Sequence, residues 1–216
     1  GELLATFATV NDVHFGEEVC GLIDGSDVGP VFRSEPGDEP FPEIMNRGAV
    51  AEMVALDPAA VLVKGDLTSN GTEAEYEAFL AAYEPAFGDR LTVVRGNHES
   101  YPRAPFAAEP FQQVDLPGAC LVLLDTSVDG GVGGTVTDAQ LEQLDELAGR
   151  SDRPILLFGH HHLGDPASDE KADRTFGIDL HRPQLLQMAG DGHAQAPSQV
   201  VVATARSAQR SVRRPG

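Results

Sequence analysis

Cysteine, lysine and long apolar runs are all scarce in this chain of 216 residues. Cys20 and Cys120 stand far apart and form no CxxC pair, so they read as two unpaired thiols in a reducing cytoplasm rather than a disulfide framework. No unbroken apolar stretch approaches the roughly 18 residues of a bilayer span, which excludes a membrane helix from the expectation. The opening Gly1-Glu2-Leu3-Leu4 has no basic region and no cleavage pattern, so no signal peptide is expected, and without an initiator Met the chain reads as processed, cloned or cut from a longer one. Positive charge is short as well. Only Lys64 and Lys171 are lysines, and the formal net charge is −19. A surface of that sign repels phosphate backbones and sets nucleic acid aside as a partner.

What is present suffices for one domain, or one and a half, with a substantial core. The charge is uneven. Residues 1–179 carry 33 acids against 10 lysines and arginines, whereas residues 180–216 carry Asp191 alone against five arginines. The expected division is therefore a body over 1–179 and an atypical basic tail over 180–216.

Leu3–Val10 reads as a buried strand, and residues 16–42, rich in Gly, Pro, Asp and Ser, as a long loop. A helix opens at Pro42 and stops at Asp57-Pro58. Ala59–Val63 is a strand, and Thr72 with Glu75 forms a capping box for a helix ending near Tyr83, before Pro85. Leu91–Val94 and Ala119–Leu124 are strands, with an irregular packed segment over 101–111 between them. Thr137 with Gln140 caps a helix carrying Leu141, Leu144 and Leu147, and Pro154–Phe158 is a strand. Leu180–Ala189 reads as a short helix, Gln199–Thr204 as a strand, and 207–216 as disordered. Strands alternating with amphipathic helices predict an α/β layer architecture with much parallel sheet, whose ligand site lies beyond the strands' carboxyl ends.

Those ends carry the informative residues. Asp12-Val13-His14 places a carboxylate and an imidazole two apart, on one side of a strand end, where they form either a cation-binding pair or part of a surface loop. Asp66 of Gly65-Asp66-Leu67-Thr68 has two oxygens able to bridge ions about 3.5–4 Å apart, or it caps a turn. Gly96-Asn97-His98-Glu99 offers an amide carbonyl suited to a hard cation, with His98 beside it to donate a proton or hydrogen bond; an ordinary turn is the alternative. Glu99 reads as a support for the loop. Of His160-His161-His162, His160 closes the strand and is the chosen ligand, His161 lies near substrate or behind the ligands, and His162 is solvated.

Taken in this order, the segments resemble the calcineurin-like metallophosphoesterase superfamily over about residues 3–179. The Asn-Asp-x-His start and the His-His after the late strand are most similar to its bacterial class III cyclic-nucleotide and glycerophosphodiester phosphodiesterases. That resemblance implies an α/β/β/α sandwich of mixed sheets and a small-molecule phosphoester substrate. It implies two metal ions of the Fe, Mn, Zn, Co or Ca kind and attack by a metal-activated hydroxide. Asp12, His14 and Asp66 would hold the first ion. Asp66 would bridge to the second, which Asn97, His160 and His193 would complete, and His98 would be the catalytic non-ligand. His161 is the expected substrate contact. Bound cations would also reconcile an acidic chain with an anionic substrate. The last motif departs from the pattern: Gly192-His193-Ala194-Gln195 has Gln where a second His is expected. A frameshift or truncation after Asp179 would account for that, for the charge reversal and for partly missing C-terminal strands. The rivals to an active phosphodiesterase or phosphatase are an impaired relative that binds metal or phosphate without turnover, and a truncated fragment.

Overall fold

The computed structural model describes residues 1–23, 26–163, 177–178 and 200–202. His193, Gln195, and the expected 180–189 helix and 207–216 tail lie outside them. Four layers account for the core. Strands β1 (Phe7–Val10), β4 (Ala60–Lys64) and β5 (Leu91–Val94) form one parallel sheet in the order β1-β4-β5. A second sheet, ordered β11-β8-β7-β6, joins β6 (Phe111–Leu116), β7 (Ala119–Leu124), β8 (Ile155–Gly159) and β11 (Val200–Val202), while β9 (His162–Leu163) and β10 (Gly177–Ile178) pair with each other in parallel. Its β7–β8 and β8–β11 pairs are parallel, and β6–β7 is antiparallel.

Alternation along β4 sets the layering. Leu62 faces inward with Val94, Leu121, Leu123 and Phe158, filling the space between the sheets. Val61 and Val63 face outward onto Met53 of α1 (Phe41–Leu56) and Phe79, Tyr83 and Phe87 of α2 (Glu73–Phe87). On the far side, Val122, Leu124 and Ile155 meet Leu141, Leu144 and Leu147 of α4 (Asp138–Arg150). The result is the expected helix, sheet, sheet, helix sandwich.

Both expected capping boxes form, at Thr72/Glu75 and Thr137/Gln140, and Asp57 ends α1 in the left-handed conformation. Four expectations need correction. Residues 16–42 are not all loop: β2 (Val19–Ile23) and β3 (Ser26–Arg33) pair as an antiparallel hairpin with an irregularity between Cys20 and Leu22. Gly21, at φ +91°, and Pro30 punctuate those runs and hide their strand character. Helix α2 continues through Pro85 to Phe87, because Phe79, Tyr83 and Phe87 bury on one stripe. The first strand starts only at Phe7, with Leu3 and Leu4 exposed. Strand β6 was not foreseen, although Pro117-Gly118, with Gly118 at φ +86°, is the turn that folds it onto β7. Within the tail, β11 extends the second sheet, matching the expected 199–204 strand. Among the described residues no helix is long and apolar enough to cross a membrane.

Candidate metal centre

Parallel pairing of β1 and β4 continues past the strands themselves. Asp12 N–H donates to Gly65 O at 3.3 Å, His14 N–H to Asp66 O at 2.9 Å, and Phe15 N–H to Leu67 O at 3.1 Å. These bonds hold the two loops side by side. They also hold a strained backbone: Asp12, His14 and Asp66 take φ values of +55°, +48° and +48°. A side-chain-bearing residue in that region costs roughly 1–2 kcal/mol, and three together at neighbouring strand ends mark a site whose geometry matters more than its ease of folding.

Asp66 sits at the centre. Its carboxylate is 6% exposed, with Oδ2 3.6 Å from His14 Nε2 and 3.4 Å from His160 Nε2. The other oxygen, Oδ1, accepts from the His98 N–H at 3.0 Å, which fixes which way the group faces. Burial alone pushes the Asp66 carboxyl up, but the imidazoles of His160, His98 and His14 outweigh it and hold the group well below the usual carboxylate range. His160 shows the reciprocal behaviour: burial lowers its pKa, the Asp66 and Asp12 carboxylates raise it, and it ends at about 9. Its Nδ1–H donates to Lys64 O at 2.9 Å, so Nε2 faces Asp66 and, at 3.1 Å, Asn97 Oδ1. A buried imidazolium clamped between a carboxylate and an amide oxygen is a proton standing where a cation fits.

Donor atoms of Asp12, Asp66 and His160 lie within 4.8 Å of one another, as do those of His14, Asp66 and His98. Asp66 belongs to both groups. The grouping differs from the one the resemblance implies, since Asp12 falls with His160 and His14 with His98, whose rings meet edge to face at 4.6 Å. Mixed carboxylate, imidazole and amide donors are a suitable set for first-row divalent or trivalent cations. Glycines make the crowding possible. A Cβ on Gly65 would stand 2.6 Å from the His160 ring, and one on Gly96 would stand 2.2 Å from Asp66 Oδ1.

Buried supports stand behind these residues, and of them only Glu99 is legible in the motifs. Glu99, fully buried, accepts from Thr68 N–H at 2.8 Å, Thr68 Oγ1–H at 2.6 Å and Gly96 N–H at 2.7 Å, strapping the Asp66 loop to the Asn97 loop. Asn46 of α1 donates to Val13 O at 2.9 Å and accepts from Tyr83 O–H at 2.6 Å, holding the Asp12–His14 loop from behind. A buried amide on an otherwise apolar helix stripe was the only signal for it. Lys64 is 3% exposed, and burial lowers its pKa while Asp12 raises it. Asp125, at the end of β7, is occupied by Arg95 Nε at 2.7 Å and is no part of the cluster.

His161 differs from the expectation of a substrate contact. It is 4% exposed, its Nδ1 lies 2.8 Å from Thr126 Oγ1, and a Cβ on Gly134 would stand 2.4 Å from its ring. Burial and the neighbouring His160 push its pKa down to about 4, so it stays neutral. His98 borders an open groove of about 290 Å³ that Asn97, Ser69, Asn70, Tyr101 and Pro102 help line. Its Nδ1–H donates to Ser69 O at 2.6 Å, leaving Nε2 for a ligand. His162 is exposed.

Known proteins share this fold. The zebrafish (Danio rerio) dimetal phosphatase structure superposes with a TM-score of 0.61 at 16% identity, covering 86% of this chain and 77% of that one. The purple acid phosphatase PPD1 of yellow lupin superposes at 0.54, also with 16% identity, covering 86% of this chain and 35% of its own. In sequence, the chain is 31% identical over 130 residues to the 3′,5′-cyclic adenosine monophosphate phosphodiesterase CpdA of Pseudomonas aeruginosa, covering 58% of this chain and 46% of that protein. It is 31% identical over 118 residues to a cAMP/cGMP dual specificity phosphodiesterase of Mycobacterium tuberculosis, covering 49% and 37%. The matches thus span less than half of these relatives' length. Residues 5–193 match the family described as calcineurin-like phosphoesterase, and the chain belongs to that family.

Proposed function

We propose that this chain hydrolyses phosphodiesters at a two-cation centre bridged by Asp66, with small cyclic nucleotides, the substrates named for its relatives, among the esters it accepts. The observation that carries the proposal is that Asp66, buried and anionic, directs Oδ2 between His14 Nε2 at 3.6 Å and His160 Nε2 at 3.4 Å, one imidazole for each cation. Asp12 and His14 would hold the first cation, and Asn97 and His160 the second. His193 is proposed to complete the second, from outside the described residues. Cations held there would lend positive charge to the phosphoryl oxygens and lower the pKa of an attacking water.

The remaining work falls to the chain. The His98 N–H keeps Asp66 Oδ1 occupied, so Oδ2 stays directed at the His14 and His160 side. The Lys64 carbonyl holds the His160 ring so that Nε2 presents its lone pair once deprotonated. His98, whose Nδ1–H is anchored on Ser69 O, turns Nε2 toward the groove, and its doubly protonated form would donate from Nε2 to the departing oxygen of the ester. His161, being buried, positions His160 from behind rather than touching substrate. The free thiols Cys20 and Cys120 agree with a cytoplasmic setting.

The test is hydrolysis of bis-(p-nitrophenyl)phosphate by the chain reconstituted with Mn²⁺ or Zn²⁺. His98→Ala is expected to lower kcat by roughly 10²–10⁴ without changing the bound cation count. A wild-type chain that binds two cations and shows no turnover contradicts the enzymatic reading and favours the impaired relative suggested by Gln195.

A further inference from the structure

Resting on the phosphodiesterase reading, we infer that Tyr101 and Asn70 form a subsite for an amino-bearing nucleobase beside His98. The short helix α3 (Asn97–Ser100) ends on Tyr101, whose backbone is still helical at φ −60° and ψ −51°. Tyr101 therefore follows His98 by three positions and Asn97 by four, spacings that share one helix face. Its side chain lines the same groove as theirs. The three tyrosines of the chain differ in what their rings meet. Tyr76 stacks on Phe106 at 4.1 Å and 4°, and Tyr83 is buried against Phe79. Tyr101 is 63% exposed, and its ring has no aromatic partner among the described residues. An open aromatic face at the edge of a phosphoester site is a platform on which any base can stack.

The facing wall supplies the polar contact. Asn70 N–H and Nδ2 donate to the Glu75 carboxylate at 3.0 and 2.8 Å. A carboxylate only accepts, so the amide nitrogen must point at Glu75 and Oδ1 is left over as an acceptor. Gly71 brings this wall close: at φ +69° a Cβ there would meet Pro102 Cγ at 2.4 Å and His98 O at 2.8 Å. Among the described residues, the groove lining holds no ionisable side chain apart from His98 and the Tyr101 phenol. A neutral, planar, hydrogen-bonding moiety matches that lining, and a second phosphate or a carboxylate does not. An exocyclic amino group of a base donates to Asn70 Oδ1 while the ring lies on Tyr101.

The experiment compares 3′,5′-cyclic AMP with methyl p-nitrophenyl phosphate, a diester without a base, on the Mn²⁺-loaded chain. Tyr101→Ala is expected to lower the ratio of their kcat/KM values about tenfold, through KM for the cyclic nucleotide, as loss of one stacked base predicts. Tyr101→Phe is expected to keep the ratio, since the ring and not the hydroxyl carries the contact. Equal losses for both esters, or an unchanged ratio in Tyr101→Ala, overturn the inference. Wild type is expected to prefer cyclic AMP over cyclic IMP, which has an oxygen in place of the amino group, and the reverse preference overturns the role of Asn70. If the chain turns over neither ester, the phosphodiesterase reading fails on its own. Calorimetric titration with cyclic AMP then still decides the inference: about tenfold weaker binding by Tyr101→Ala supports it, and no binding by wild type overturns it.

Discussion

The two sides of the candidate metal centre are built differently. On one side, Asp66 and His160 are 6% and 7% exposed, and buried Glu99 straps the Asp66 and Asn97 loops together through three hydrogen bonds. On the other, Asp12 is 36% exposed and follows β1, an edge strand of the described sheet. Its loop depends on backbone bonds to β4's exit and on two side chains of α1, Asn46 reaching Val13 O and Glu43 accepting from Gly16 N–H. The contrast separates a preformed half from a half held by its neighbours. On the proposed two-cation reading, affinity at the second half would be set by local burial and at the first by the α1–α2 packing behind it.

The largest break in that comparison comes from Glu99→Ala. It leaves Thr68 and Gly96 N–H groups buried without partners, a loss of about 3–5 kcal/mol. For a chain of this size that lowers Tm by roughly 10 °C, readable by thermal melts of the cation-free protein; a shift within about 2 °C contradicts the strap. Next comes Asn46→Ala, which removes the Val13 and Tyr83 contacts at about 2 kcal/mol. It is expected to weaken one of two cation-binding steps roughly 10–100-fold and spare the other, as titration calorimetry resolves. Equal weakening of both steps would erase the distinction between the halves. Lys64→Met is smaller and opposite in sign. Removing a buried ammonium near Asp12 is expected to tighten the first-side cation about fivefold, the size of a ~1 kcal/mol repulsion. Weaker binding in this variant contradicts the repulsion.

A change of pH acts on the buried half of the cation-free chain as well. His160 has a folded pKa raised from 6.5 to about 9, so its contribution is complete below about 6.5 and is lost as pH climbs to about 9. Asp66, held low, contributes above the ordinary carboxylate range and loses that contribution as pH falls below it. Thermal melts in chelator are therefore expected to show Tm declining from pH 6.5 to 9, a decline that His160→Gln abolishes. A flat wild-type profile contradicts the Asp66–His160 pairing.

Legibility followed the same division. The strand-end residues Asp12, His14, Asp66, Asn97, His98 and His160 could be read because each closes an apolar run, and short-range rules also located the Thr72 and Thr137 caps. Long-range contacts could not. Nothing local connects Asn46 with Val13 and Tyr83, 33 and 37 residues away. The burial of His161 depends on Thr126 and Gly134, which only the pairing of β7 with β8 brings near. The β2–β3 hairpin was obscured by Gly21 and Pro30, which break the alternation that marks strands. Strand β6 was legible in principle, since Pro117-Gly118 between two apolar-containing runs is a turn signal. Pro85 misled because a single proline is tolerated when three aromatics anchor the final turns of a helix.

One buried carboxylate, Asp66, is proposed to serve both cations, and counting metal in Asp66→Ala puts that bridge to the test. Elemental analysis after reconstitution with Mn²⁺ and desalting is expected to give two ions per wild-type chain and none in the variant. Two ions retained in Asp66→Ala would contradict the bridge and, with it, the two-cation account.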